Sequence, residues 1–218
     1  MSEEQQTTPI RINEILRFSM FTDAPGVEGK RSRLAWSVRD GNPRVTVYTN
    51  IPTDTIQKGV LSAPMNPETF FIFLDLFEKV ALGDNGIKYK IDCYTSFRKE
   101  DGTYTDKTLQ SELWFGKDDQ GVIWISVNAP SRPKIKFDFK VYDYHKIYKG
   151  DGTQISESEA SALQALAVIK AMRNIYVPLV GALKQPNPGI SKPFTDQKVY
   201  NGNPATAQAN PTFEDVNF

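Results

Sequence analysis

Residues 66–83 read NPETFFIFLDLFEKVALG, and this stretch decides the fold. Asn66 suits a helix N-cap, Pro67 suits the first helical position, and Gly83 is a natural stop. Between them Phe70, Phe73, Leu74, Phe77 and Ala81 recur at helical spacing, which predicts a helix over residues 70–82 with one apolar face. Upstream lie only strand candidates, at residues 10–21, 33–39 and 44–50, with a short one near 59–63. Gly41-Asn42-Pro43 forms the turn between the second and third. Downstream the plan repeats. Strand candidates cover residues 87–98, 109–116, 121–128 and 134–142, with turns at Asp101-Gly102, 118–121 and 129–133. Ser156, with Glu159 three residues on, then supplies a capping box and opens a long helix over residues 157–183. Leu163, Leu166, Ile169, Met172, Ile175, Tyr176 and Leu179 carry its apolar side, and Pro178 is expected to kink or end its last turns. The chain therefore reads as four strands and a helix, twice, without sequence identity between the halves. Runs of strands with segregated helices predict an α+β fold of two antiparallel four-stranded sheets, each followed by a helix, rather than βαβ units.

Composition bounds the function. The 218 residues include one Cys (Cys93), one His (His145), 26 Lys+Arg and 26 Asp+Glu. One Cys rules out an internal disulfide and a Cys-based zinc site, and one His rules out a multi-histidine metal centre. No carboxylate pair stands out for acid/base work, and the glycines form no phosphate-binding loop. The reading is a non-enzymatic protein with no cofactor and no metal. No apolar run approaches the roughly 20 residues needed to span a bilayer. The polar, acidic start carries no secretory signature. A soluble protein of the cytoplasm follows as the expectation, with Cys93 reduced and no membrane partner.

Residues 1–8 and 185–218 differ in composition from the rest. The first segment is rich in Ser, Glu, Gln and Thr, and the second holds five prolines with few apolar residues. Such sequences bury too little surface to offset ordering entropy, so they read as a disordered N-terminus and a flexible tail around a folded domain at residues 9–184. Charge divides accordingly. Residues 9–184 carry 24 basic and 21 acidic residues, whereas the two ends carry 2 and 5. Zero net charge thus conceals a modestly basic fold with acidic ends, and nucleic acid is not excluded.

Alternation places the chemistry, because residues two apart in a strand share a face. In the second half Ile87, Tyr89, Ile91, Cys93, Leu113, Phe115, Ile123, Ile125, Val127, Ile135, Phe137 and Phe139 make a core. Opposite them fall Lys88, Lys90, Arg98, Lys134, Lys136 and Lys140, interleaved with Tyr94, Trp114 and Trp124. Cations beside aromatics on an antiparallel sheet suit single-stranded nucleic acid. The cations follow the phosphates and the rings stack on unpaired bases. The first half carries a weaker version, with Arg33, Ser37 and Arg39 on one face of a strand, Arg44, Thr46 and Tyr48 on one face of the next, and Arg17 upstream; Trp36 falls with the core. The bland reading of the same pattern is a solvated sheet face, or aromatics covered by a helix or another subunit. His145 reads as a surface or structural histidine.

The arrangement resembles the Whirly family of single-stranded-DNA-binding proteins and the related transcription-coactivator-like fold. The likeness covers about residues 9–184. It rests on element order, the strand pair 112–115 and 121–127, and the long closing helix around 165–181. It implies strands that bind unpaired DNA. The end of the chain, with Glu214, Asp215 and a terminal Phe218, is similar to the acidic tips of bacterial and bacteriophage single-stranded-DNA-binding proteins. That likeness implies recruitment of replication and recombination proteins through the tip. Together the features look like a phage single-stranded-DNA-binding protein, acting in the host cytoplasm in replication, recombination or repair. An RNA-binding or transcription-regulating module on the same surface stays open, as does a structural or assembly protein, and self-association is compatible with each.

Overall fold

The computed structural model describes residues 18–39, 42–96, 99, 101–141 and 144–182. The chain divides into two units, Met1–Lys184 and Gln185–Phe218, and every described residue belongs to the first. Within it, four strands precede a helix and the pattern repeats: β1 (Met20–Asp23), β2 (Arg31–Arg39), β3 (Asn42–Tyr48), β4 (Val60–Pro64), α1 (Pro67–Leu82), then β5 (Lys88–Thr95), β6 (Thr108–Lys117), β7 (Ile123–Asn128), β8 (Phe137–Asp138) and α2 (Glu157–Ala182). Strands β1–β4 form one antiparallel sheet in sequence order and β5–β8 form another, here called sheets A and B. This is the α+β architecture expected from the sequence.

Local chemistry explains the helix ends. The Asn66 side chain accepts from the Thr69 amide at 2.7 Å, with Pro67 at the first turn, so α1 begins where its cap predicts. The Glu159 amide donates to Ser156 Oγ at 3.1 Å and opens α2. The α2 helix continues past Pro178 to Ala182 instead of ending at the proline. None of the described helices is long and apolar enough to cross a membrane.

One core joins both sheets and both helices. Phe73 of α1 stacks on Trp36 of sheet A at 6.0 Å and meets Phe115 of sheet B edge-on at 5.0 Å, while Phe77 packs on Phe139 at 5.2 Å. Phe70 carries the contact on to Tyr176 of α2 at 4.9 Å. Each such ring stabilises the fold by about 1.5–3 kcal/mol through burial alone. Cys93 and Trp36 lie in this core, as the alternation predicts.

Two strands differ from expectation. Most of the first candidate, including Arg17, lies outside the described residues; β1 covers Met20–Asp23. The last candidate, residues 134–142, contracts to Phe137–Asp138. The alternation survives, with Ile135, Phe137 and Phe139 buried, but the ladder is short. Arg132 anchors the chain that leads into β8. Its guanidinium donates to Asp54 at 2.9 and 2.6 Å and to the Val60 carbonyl at 2.8 Å. That anchor ties the chain before β8 to the loop ahead of β4 and to the first residue of β4.

Candidate nucleic-acid interface

Directly paired residues of antiparallel strands share a face, so the register maps each outer surface. On sheet B the rows are Lys88, Gly116, Trp124 and Asp138; then Lys90, Trp114 and Ser126; then Asp92, Glu112 and Asn128. The expected aromatics and cations do share this face. They are not open, however. Trp114 is 1% exposed and Trp124 4%. Lys90 lies over the Trp114 ring, 5.5 Å from its centroid, and the indole N–H donates to Glu112 at 3.1 Å. Lys136 lies over Trp124 at 6.0 Å. These rings are packed beneath lysine stems, and neither presents a face on which a base could stack.

The cations above them are also engaged. Lys90 pairs with Asp92 at 3.1 Å and Glu112 at 3.2 Å, and Lys136 pairs with Asp118 at 3.0 Å and Asp138 at 3.2 Å. Burial pulls both ammonium groups down, but the bonded carboxylates outweigh it and hold their pKa values above the ordinary lysine range. For Asp118, burial pushes the carboxyl up, yet Lys136 and the Val122 and Gln120 amides outweigh it and hold it below the usual range. Lys140 reaches Glu157 at 3.3 Å from a more exposed position, and Lys134 is exposed in the connection before β8. Of the three aromatics expected on this face Tyr94 is the exposed one, at 55%. It follows a register shift between Cys93 and Tyr94, and such a bulge re-aims the side chains after it. Arg98 lies outside the described residues.

Sheet A presents a different surface. Its register aligns Phe21, Arg33, Tyr48 and Val60 in one row across all four strands, with Ser37, Arg44 and Pro64 two rungs away. The Arg33 guanidinium sits over the Tyr48 ring, 4.5 Å from its centroid. Phe21 is 54% exposed at the sheet edge. Aromatic, cation and aromatic therefore stand side by side, with carboxylates missing from these two rows. Arg31 extends the face by one rung beside Asp23, at a loose 3.8 Å. Arg39 closes β2, but its side chain lies outside the described residues, as do Glu214, Asp215 and Phe218 of the tip.

Sequence reasoning missed Phe21. Its neighbours Met20 and Thr22 give no clean alternation, and the strand candidate at residues 10–21 overlaps β1 only at Met20 and Phe21, too little to fix its phase. The signal that could have found it is the turn at residues 24–29, which sets Phe21 opposite Arg33. Comparison with protein-family models, curated proteins and solved structures returned no match.

Proposed function

We propose that this chain binds single-stranded nucleic acid, DNA in the first instance, across the outer face of sheet A. The observation that carries the reading is the Phe21–Arg33–Tyr48 row, where an exposed ring and a half-buried one flank a guanidinium that has no carboxylate partner among the described residues. Unpaired bases stack on such rings whatever their sequence, at about 1–3 kcal/mol per base, and the guanidinium meets the phosphates. Duplex DNA offers no free base faces and would be bound less well. The two halves of four strands and a helix are the element order of the Whirly-like resemblance, which supports the same reading. Work in replication, recombination or repair, with the acidic segment that holds Glu214, Asp215 and Phe218 recruiting protein partners, belongs to this proposal.

The test is a titration of labelled single-stranded DNA, single-stranded RNA and duplex, followed by anisotropy across a salt series. Single-stranded DNA should bind tightest, with affinity falling as salt rises. A preference for RNA would move the reading to an RNA-binding module, since discrimination by the 2′-hydroxyl needs dedicated contacts. Affinity that is absent, or insensitive to salt, would overturn it.

A further inference from the structure

Beyond the row, at the end of sheet A where β2 begins and β3 ends, the surface sinks into an open depression of about 780 Å³. Arg31, two residues before Arg33, and Asn50, two after Tyr48, line it, so it begins about 7 Å from the aromatic row at the usual strand rise. Lys30 and Lys58 complete a cationic rim. Neither lysine has an ion pair among the described residues, and Arg31 has only the loose contact to exposed Asp23.

One carboxylate lines the depression, that of Asp54, and it is already satisfied. It accepts from Arg132 at 2.6 and 2.9 Å and from Thr49 Oγ1 at 2.8 Å. Burial pushes this carboxyl up, but those bonds outweigh it and hold it below the usual carboxylate range, so it stays charged and fully paired. The depression therefore carries the unspent charge of its lysines and arginine.

The backbone beneath it is strained in a directed way. Gln57 and Lys58 have φ of 47° and 55°, followed by Gly59 at 73°, and Asn50 across the depression has 54°. Left-handed backbone disfavours residues with a Cβ, and such conformations persist only where surrounding structure over-determines them. Here it does. The Thr49 amide donates to the Gly59 carbonyl at 2.8 Å, Asn50 Nδ2 donates to the Arg31 carbonyl at 2.6 Å, and Arg132 holds the Val60 carbonyl at 2.8 Å. A Cβ on Gly59 would meet Thr49 Oγ1 at 2.9 Å, so the turn cannot relax by shifting its glycine. Glycine at position 58 would remove strain, yet the chain holds a lysine there, on the rim.

We infer that the basin bounded by Lys30, Arg31 and Lys58 is a preformed phosphate subsite, which takes a backbone phosphodiester of the strand whose bases stack on Phe21 and Tyr48. The identity of that strand rests on the proposed function; the anion site does not. A phosphate held here fixes the path of the strand relative to the rings, so the face positions the backbone as well as attracting it.

The test uses the full chain with two readouts. Oligonucleotide affinity and its salt dependence are measured for the wild type, Lys30→Gln/Lys58→Gln and Lys58→Gly. Amide chemical shifts are followed during titration with inorganic pyrophosphate. Each removed charge should lower oligonucleotide affinity about two- to five-fold and flatten the logarithmic salt slope by about 0.7 per lost phosphate contact. Lys58→Gly is the decisive variant, because it should raise the melting midpoint by relieving the left-handed backbone while weakening binding. Pyrophosphate should saturably shift the Arg31, Lys58 and Gly59 amides. Where the wild type binds oligonucleotide, unchanged affinity and slope in both variants would overturn the subsite and leave the proposed function standing. Where the wild type binds none, the proposed function fails, and the pyrophosphate titration alone decides: saturable shifts at the basin keep the anion site, and their absence removes it.

Discussion

Truncating Phe21 or Tyr48 should separate binding from stability, and truncating Trp114 should do the reverse. Phe21 is half-exposed at a sheet edge, so Phe21→Ala removes little buried surface and should cost well under about 1 kcal/mol of stability. Tyr48 is half-buried, and Tyr48→Ala loses a guanidinium–ring contact at 4.5 Å, about 0.5–2 kcal/mol. If each ring stacks on a base, either change should weaken single-stranded DNA binding by about 1–3 kcal/mol, roughly five- to 150-fold. Trp114 is 1% exposed and its indole N–H is bonded to Glu112. Trp114→Ala should open a cavity and cost about 3–5 kcal/mol. At a urea slope of about 2 kcal/mol/M, that is a midpoint lowered by roughly 2 M. The assay pairs urea unfolding by circular dichroism with anisotropy of a labelled oligonucleotide below the unfolding transition. A Trp114→Ala protein that keeps its midpoint but loses DNA would refute the assignment of the surface to sheet A. So would Phe21→Ala and Tyr48→Ala proteins that both bind like the wild type.

Other consequences follow from the buried charges and the thiol. Arg132→Gln leaves Asp54 buried without its partner and should cost about 3–5 kcal/mol, read as a lowered urea midpoint; an unchanged midpoint would mean the pair contributes nothing. Asp54 and Asp118 are both held below the ordinary carboxylate range, so their contribution is complete above about pH 4 and is lost as pH falls through their lower folded values. The urea midpoint should therefore fall more steeply below about pH 4 in the wild type than in Asp118→Asn, and parallel curves would contradict the Asp118–Lys136 assignment. Burial pushes the Cys93 thiol up to about 11, so a disulfide reagent at pH 8 should label it only with the rate of unfolding; rapid labelling of native protein would place it at the surface.

The fold was legible because its decisive signals are local. The Asn66 cap, the Pro67 start and the apolar spacing of Phe70 to Ala81 depend on neighbours a few residues away, and the structure places them as read. Alternation likewise assigned Cys93, Phe115 and Ile125 to the core and Lys90, Trp114 and Trp124 to the opposite face. What alternation cannot give is whether a face is covered. Trp114 and Trp124 sit beneath Lys90 and Lys136, whose positions are set by pairing with Glu112, Asp118 and Asp138 across strands and turns. The basin at Lys58 was invisible for a similar reason. It needs residues 29–31, 50–58 and 132 in one place, joined by an ion pair 78 residues apart in sequence.

Charge counts along a chain therefore mislead about where a polyanion can bind. The stretch from Arg132 to Lys149 holds six basic and two acidic residues, which points to sheet B and the segment after it. In the folded protein Arg132 is spent on Asp54, Lys136 on Asp118 and Asp138, Lys140 on Asp138 and Glu157, and Lys149 on Glu159. A cation held between two carboxylates contributes little outward field, and binding a phosphate there would first break an existing pair. Among the described residues Arg33, Lys30 and Lys58 have no carboxylate partner; Arg33 rests on a ring and the two lysines line an open basin. Lys134 and Lys146 of the same stretch stay exposed without an ion pair among the described residues, but only on sheet A do such cations stand in register beside Tyr48 and Phe21. On the proposed reading, a small excess of charge is enough to bind a strand because it lies beside two rings on which bases could stack.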